Sequence, residues 1–262
     1  MLADQGQASC LNLIKENQCL NAIEACTIEA ENNDPKAQTA LGMLLSGITH
    51  GDFRKNYKQS FFWVNQAAEQ GYNKAQVVMA EMYMNGEVVP MSAKKAKVWY
   101  EKAAEQNNLD GVNGLARLYR YGTGVRKDYE KAFAYYQQAA IENHTRSQVG
   151  VALSYRDAKG VKKNMVKAYA WLLIVSDKID KNDLKTMQKI YKEERENLDQ
   201  TIPNCKYLSR LDEASEVMTV IYAQKILLDL KQRMSRKQIN KAKKLAEELK
   251  KTGDFTPAFS TN

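Results

Sequence analysis

The sequence predicts an all-α fold, a right-handed α-solenoid of four helix-turn-helix repeats with helical caps at both ends, and two observations carry that prediction. The chain is self-similar at a step of 36 residues, and within each step the apolar residues recur with helical spacing. Composition agrees. Only 13 Gly and 4 Pro occur among 262 residues, too few for the many reversals of an all-β sandwich or barrel. A chain that is 44% hydrophobic and 27% charged has a core, which excludes disorder and collagen. No stretch approaches the ~18 uncharged apolar residues of a membrane span, and the amino terminus has no basic start followed by an apolar run.

Residues 1–33 are read as an amino-terminal cap. Cys19 to Glu31 aligns with the second helix of a preceding unit, because Ala22 and Ala25 lie 38 residues before Ser60 and Trp63, and Leu11 to Lys15 is a remnant first helix. The four units occupy residues 34–177 and start at Ala37-Gln38, Ala75-Gln76, Gly111-Val112 and Ser147-Gln148. Rings keep the step at Trp63, Trp99, Tyr135 and Trp171, and small residues at Ala67, Ala103 and Ala139. The first unit is two residues longer. The excess is placed between Ser46 and Asn56, since Ser60, Ala96, Ala132 and Ala168 are back in step.

Within one unit, Ala75, Met79, Tyr83 and Gly86 form a single stripe on a helix that ends in glycine, helix A. Ala96, Trp99, Tyr100, Ala103 and Ala104 repeat the pattern on a second, helix B. Small residues on one helix admit rings from another, so stacked hairpins bury what one hairpin leaves exposed. The ring series is therefore assigned to the core rather than to sugar stacking, and Tyr83, Tyr119 and Tyr155 to the core or a groove edge. Gly122 and Gly124 are read as loop residues needing positive φ, not as a phosphate cradle.

Residues 178–252 form a carboxyl-terminal cap of three predicted helices, Asp183 to Leu198, Tyr207 to Arg233 and Ser235 to Lys251. Ser235 with Gln238 three residues on is an N-cap signature. The middle helix is the most apolar stretch outside the repeats. It is read as a structural cap across the last hairpin, with a partner-binding or dimer surface as the alternative. Residues 253–262 are predicted to be a disordered tail.

The segments KAQVVMAEMYMNGEVV and KKAKVWYEKAAEQN, and their counterparts at the next steps, resemble the Sel-one-like repeat family, tetratricopeptide-like α-solenoids. The resemblance covers Asp34 to Asp177. Departures are Ala158 at a loop-glycine position, Leu45 at a loop-tyrosine position, and Met91-Ser92-Ala93 where the family has acidic loop residues. The resemblance implies that helix A lines a concave face. Residues opposite the buried stripe then become the partner-binding set: Thr39 and Met43; Val77, Glu81 and Met84; Asn113, Arg117 and Arg120; Val149, Leu153 and Arg156. They are expected to be exposed in a groove that takes a protein segment, peptide or helix, with an acidic half opposite the arginines. A non-catalytic protein-protein interaction adaptor or scaffold follows. The alternatives are an envelope carbohydrate or peptidoglycan-associated binding protein, a secreted bacterial factor engaging host proteins, and a thiol-dependent hydrolase.

The net charge of +8 is concentrated between Lys231 and Lys251, where nine basic residues face only Glu247 and Glu248. No aromatic residues interleave there to stack bases, so a solvated face is expected and nucleic acid is not. Capture of acidic membrane by this helix is the rival; stable membrane insertion is not expected. The cysteines Cys10, Cys19, Cys26 and Cys205 fit neither zinc nor redox spacings, so no metal and no cofactor are expected. Two readings of them stay open: disulfides, with Cys10 paired to Cys19 or Cys26, or buried free thiols. Export is common in the resembled family, and the start Met1-Leu2-Ala3-Asp4 is read as lacking a leader, which points to a periplasmic or secreted monomer. His50 and His144, both in predicted connections, are read as solvated, with no catalytic residue assigned.

Overall fold

The computed structural model of the chain describes residues 9–46, 56–180, 211–255 and 258–259. The fold is all-α, of the α-solenoid class, with no strand among the described residues. Helices come in consecutive packed pairs: α1 (Cys10–Lys15) with α2 (Cys19–Glu31), α3 (Pro35–Leu45) with α4 (Tyr57–Glu69), α5 (Asn73–Asn85) with α6 (Ala93–Glu105), α7 (Leu109–Tyr121) with α8 (Tyr129–Ile141), and α9 (Thr145–Asp157) with α10 (Met165–Ser176). Two more follow, α11 (Leu211–Arg233) and α12 (Arg236–Thr252). The predicted helix Asp183 to Leu198 lies outside the described residues, as do His50 and Cys205. The chain divides into two compact units between Asn108 and Leu109.

Every repeat is punctuated by the same local chemistry. Asn56, Ser92, Asp128 and Asn164, each just before a helix B, accept the backbone amide three residues on at 3.0, 3.4, 2.9 and 3.0 Å. Each satisfies a donor that a helix start leaves open. The backbone N–H of the same residue donates back to helix A, to the carbonyls of Leu45, Tyr83, Tyr119 and Tyr155. That bond spans eleven residues in the first repeat and nine in the others, which puts the two-residue insertion between Ser46 and Asn56 as predicted. Past helix B the chain turns through Asn33, Gly71, Asn107 and Asn143, all at positive φ, residue types that tolerate it. Helix A ends the same way at Gly86 and Gly122, with φ of 74° and 73°. In the fourth repeat Ala158 takes that place at φ 55°, against the preference of a residue with a Cβ.

In the first unit glutamines tie successive hairpins. Gln38 and Gln76 donate to the carbonyls of Ala30 and Ala68 at 3.1 and 3.2 Å, while Gln70 and Gln106 donate to the Oε1 atoms of Gln38 and Gln76. A disulfide joins Cys10 to Cys26, so of the two partners favoured for Cys10 the structure takes the second. Cys19 is disulfide-bonded as well. The cross-link pins α1 to α2 beneath a small core of Leu13, Ile14, Leu41 and Leu44.

The second unit has the larger core. Val149, Val151, Tyr155, Trp171 and Leu172 from the repeats meet Val217, Val220, Ala223, Ile226 and Leu230 of α11 and Ala242, Ala246 and Leu249 of α12. The predicted capping box of Ser235 and Gln238 is formed at the start of α12, which packs on α10. The tail assignment needs correction. Trp171 stacks on Phe255 with centroids 5.1 Å apart and lies 5.5 Å from Phe259, and Tyr155 Oη donates to the Ala258 carbonyl at 2.9 Å. Two aromatics four positions apart cover a ring that would otherwise face water. The ring series is also not at one depth: Trp99 and Trp171 are buried, Trp63 and Tyr135 half-buried. The large side chains buried in every repeat are at the next position along helix B, Val64, Tyr100, Tyr136 and Leu172.

Candidate functional site

The helix A face is where a partner was expected, and the two units differ there. In the first, Met43, Val77, Glu81 and Met84 are half-buried, while Thr39 is buried with its hydroxyl donating to the Pro35 carbonyl at 2.6 Å. Glu81 is engaged within its own hairpin, accepting from Tyr100 Oη at 2.6 Å. In the second, Arg117 is exposed and Leu153 and Arg156 are half-buried, but Asn113, Arg120 and Val149 are buried. The exposure expected of Thr39, Asn113, Arg120 and Val149 is therefore not found.

In the second unit α11 lies against this face and covers Val149, while Asn113 and Arg120 are drawn onto α9 by Ser147 and by Ser154 and Asp157. Thr145, at the start of α9, donates to Glu216 Oε1 at 2.8 Å and receives Lys178 Nζ at 2.6 Å. Val217 and Val220 join Val149 in one core, and Tyr222 and Asp229 sit close enough to Arg156 to favour its charged form. A groove of about 360 Å³ remains between the helices. Asn113, Arg117, Arg120 and Tyr121 of α7 form one wall, Arg146, Val149 and Leu153 of α9 the base, and Ser215, Met218, Thr219 and Tyr222 of α11 the other wall. Tyr121, Met218 and Tyr222 are 65%, 60% and 48% exposed, so this groove offers apolar and aromatic surface to a ligand.

The arginines are held by acids. Arg156 grips Asp157 through Nε at 2.6 Å and Nη2 at 3.0 Å, and Arg120 Nη2 lies 3.6 Å from the same carboxylate while its Nη1 reaches Ser154 Oγ at 3.5 Å. Arg156, then Arg120 and Lys159, hold the Asp157 carboxyl below the usual carboxylate range. Burial pushes the Tyr136 hydroxyl up to about 12 against the pull of Arg120, and pushes the Lys178 ammonium down against the opposing effect of Glu216.

His144 is not the solvated histidine read from the sequence. Its Nδ1 lies 2.8 Å from Ser147 Oγ and its Nε2 3.2 Å from Asp110 Oδ1, while Arg146 Nη1 is 3.4 Å from that carboxylate. The order Ser, His, Asp matches a nucleophile relay in composition. Ser147 is wholly buried, however, and its oxygen also receives Asn113 Nδ2 at 2.9 Å, so the group joins α7 to α9 and presents no nucleophile to a substrate. Asp110 and His144 are 34 positions apart, and nothing local in the sequence signals that meeting.

The Sel1 repeat family matches residues 35–72, 73–108, 110–144 and 145–174. No curated protein matches the chain. Among solved structures, a protective antigen of uropathogenic Escherichia coli strains displaying an SLR fold is 26% identical with a TM-score of 0.56, over 70% of this chain and 38% of that one. A Sel1 repeat protein from Oxalobacter formigenes is 24% identical with a TM-score of 0.52, over 64% of this chain and 49% of that one, a likeness of fold. The chain thus spans less than half the length of either.

Proposed function

The chain belongs to the Sel1 repeat family, and on that premise we propose that it is a non-catalytic protein-interaction scaffold which takes a partner segment on the helix A face. The observation that carries this reading is α11: one helix of the chain already lies on that face in the second unit, so the surface accommodates a helix with an apolar stripe. The open groove beside it offers Tyr121, Met218, Tyr222 and the guanidinium of Arg117 to an incoming segment. Aromatic and arginine anchors of this kind dominate interface energies. Arg120, Asn113 and Val149 support the groove from within, and Thr39, Met43, Val77, Glu81 and Met84 are assigned to the same face of the first unit.

The test is affinity capture with wild type against Arg117→Glu plus Met218→Glu, two exposed positions whose exchange leaves the core intact. Loss of a partner that wild type retains is the expected result, and identical partner profiles would remove the groove from the proposal. The disulfide of Cys10 with Cys26 supports assignment to an oxidising compartment, the periplasm or the exterior. Among the described residues no helix is long and apolar enough to cross a membrane. Intact mass before and after thiol alkylation of protein from its native compartment checks that placement: no added alkyl groups are expected without reductant.

A further inference from the structure

A second concavity lies away from the helix A groove, between the loop that joins α7 to α8 and the loop that joins α9 to α10. It is an open cleft of about 970 Å³, bounded by Val125 to Lys131 on one side and by Ala158 and Gly160 to Lys162 on the other. Four cations, Arg126, Lys127, Lys162 and Lys163, are exposed on these loops, in two pairs 36 residues apart. Among the described residues they form no ion pair, whereas Arg120, Arg146 and Arg156 of the same unit each lie within 4 Å of a carboxylate. Of the two acids in the lining, Asp128 is committed to capping α8 and Glu130 is exposed.

Rings place the ammonium groups. Lys127 and Lys159 lie 5.9 and 5.4 Å from the centroid of Tyr129, and Lys131 lies 4.3 Å from that of Tyr119. The fold does not require the charge. The second repeat has Pro90-Met91 where the third has Arg126-Lys127, and Met91 packs over Gly86 as Lys127 packs over Gly122. Unpaired like charges gathered on two adjacent loops repel one another, and an anion with several charges removes that repulsion.

We propose that this cleft binds a polyanionic saccharide, a glycan chain with closely spaced carboxylate or phosphate groups. A concave site between loops admits a single chain, whereas a flat bilayer reaches only its rims. The tyrosine faces are already covered by lysines and so offer no platform for stacked bases, which disfavours single-stranded nucleic acid. Lysine heads held over rings, with Arg126 exposed beside them, suit several spaced anions on a flexible chain.

The experiment is fluorescence anisotropy of the full chain with labelled oligogalacturonate for carboxylates, dextran phosphate for phosphates, and neutral dextran as control. Wild type is expected to bind at least one charged glycan and not neutral dextran, with affinity falling as salt rises. The quadruple exchange Arg126→Glu, Lys127→Glu, Lys162→Glu and Lys163→Glu is expected to weaken binding about tenfold or more. Lys162→Gln with Lys163→Gln gives a smaller loss in the same direction, and serves alone if the quadruple variant loses its helical circular dichroism. Lys241→Glu with Lys244→Glu on α12 leaves affinity unchanged. The proposal is overturned if wild type binds neither charged glycan, or if the loop exchanges leave affinity unchanged. It is equally overturned if the α12 exchange is as damaging, or if oligothymidylate or phosphatidylglycerol vesicles bind more tightly than the glycans.

Discussion

The two units are built from one hairpin design and stabilise it differently. In the first, a short helix pair cross-linked through Cys10 and Cys26 packs on α3. In the second, closure comes from apolar mass: α11, α12 and the aromatic pair Phe255 and Phe259 settle on the last hairpin. A repeat leaves an apolar face to be covered by whatever packs beside it, and these are two physical answers, a covalent one at α1 and α2 and a hydrophobic one at α11 and α12. The second answer also changes the helix A face, because α11 buries part of it and leaves a narrower groove.

The apolar closure is most vulnerable at Val220, which is fully buried in the second unit. Val220→Asp puts a carboxylate into that core and is expected to cost more than about 3 kcal/mol, unfolding the unit in a thermal melt. A melt like wild type would mean that α11 adds little. Removing the covalent closure with Cys10→Ser plus Cys26→Ser should cost about 3 kcal/mol, from the loop-closure entropy of a 16-residue separation. Denaturant unfolding followed by hydrogen exchange should place that loss in α1 to α3 and spare α9 to α12. Gly150→Ala pushes a methyl to within 2.5 Å of the Tyr136 ring and is expected to cost about 1–3 kcal/mol by overpacking. Ala158→Gly relieves a left-handed residue at φ 55° and should raise stability by up to about 1 kcal/mol.

A smaller effect is electrostatic. The Asp157 carboxyl is held below its ordinary value of 3.8 in the folded protein, chiefly by Arg156. Its contribution is complete above that value and is lost as pH falls through the lower folded value. Acid titration of wild type against Asp157→Asn should therefore show a difference in stability near neutrality that closes below about pH 4.

What was legible in the sequence is what is local and periodic. The insertion between Ser46 and Asn56, the helix pairs and the capping box at Ser235 all follow from spacing or from short-range chemistry, whereas spacing left Cys10 with two candidate partners and did not decide between disulfides and free thiols. The N-cap series Asn56, Ser92, Asp128 and Asn164 was equally readable at the same step. Other features depend on contacts between distant segments. Arg120 had the register of an exposed groove residue, but Asp157, on the next helix A, draws it inward to 7% exposure. The apolar stretch from Val217 to Leu230 announced a buried helix without saying which surface it would cover. Phe255 and Phe259 sit in a tail whose composition suggested disorder, and their docking rests on distant groups, the Trp171 and Phe133 rings and the Tyr155 hydroxyl. His144 found Ser147 nearby in the chain and Asp110 across the hairpin, a meeting set by stacking alone.

The scaffold reading is tested most directly by photo-crosslinking. Benzophenone side chains are placed singly at Arg117, Leu153 and Tyr222 in the groove, and at the exposed Gln138 of α8. The account predicts that one partner is captured from all three groove positions and not from Gln138; capture from Gln138 with none from the groove would contradict it.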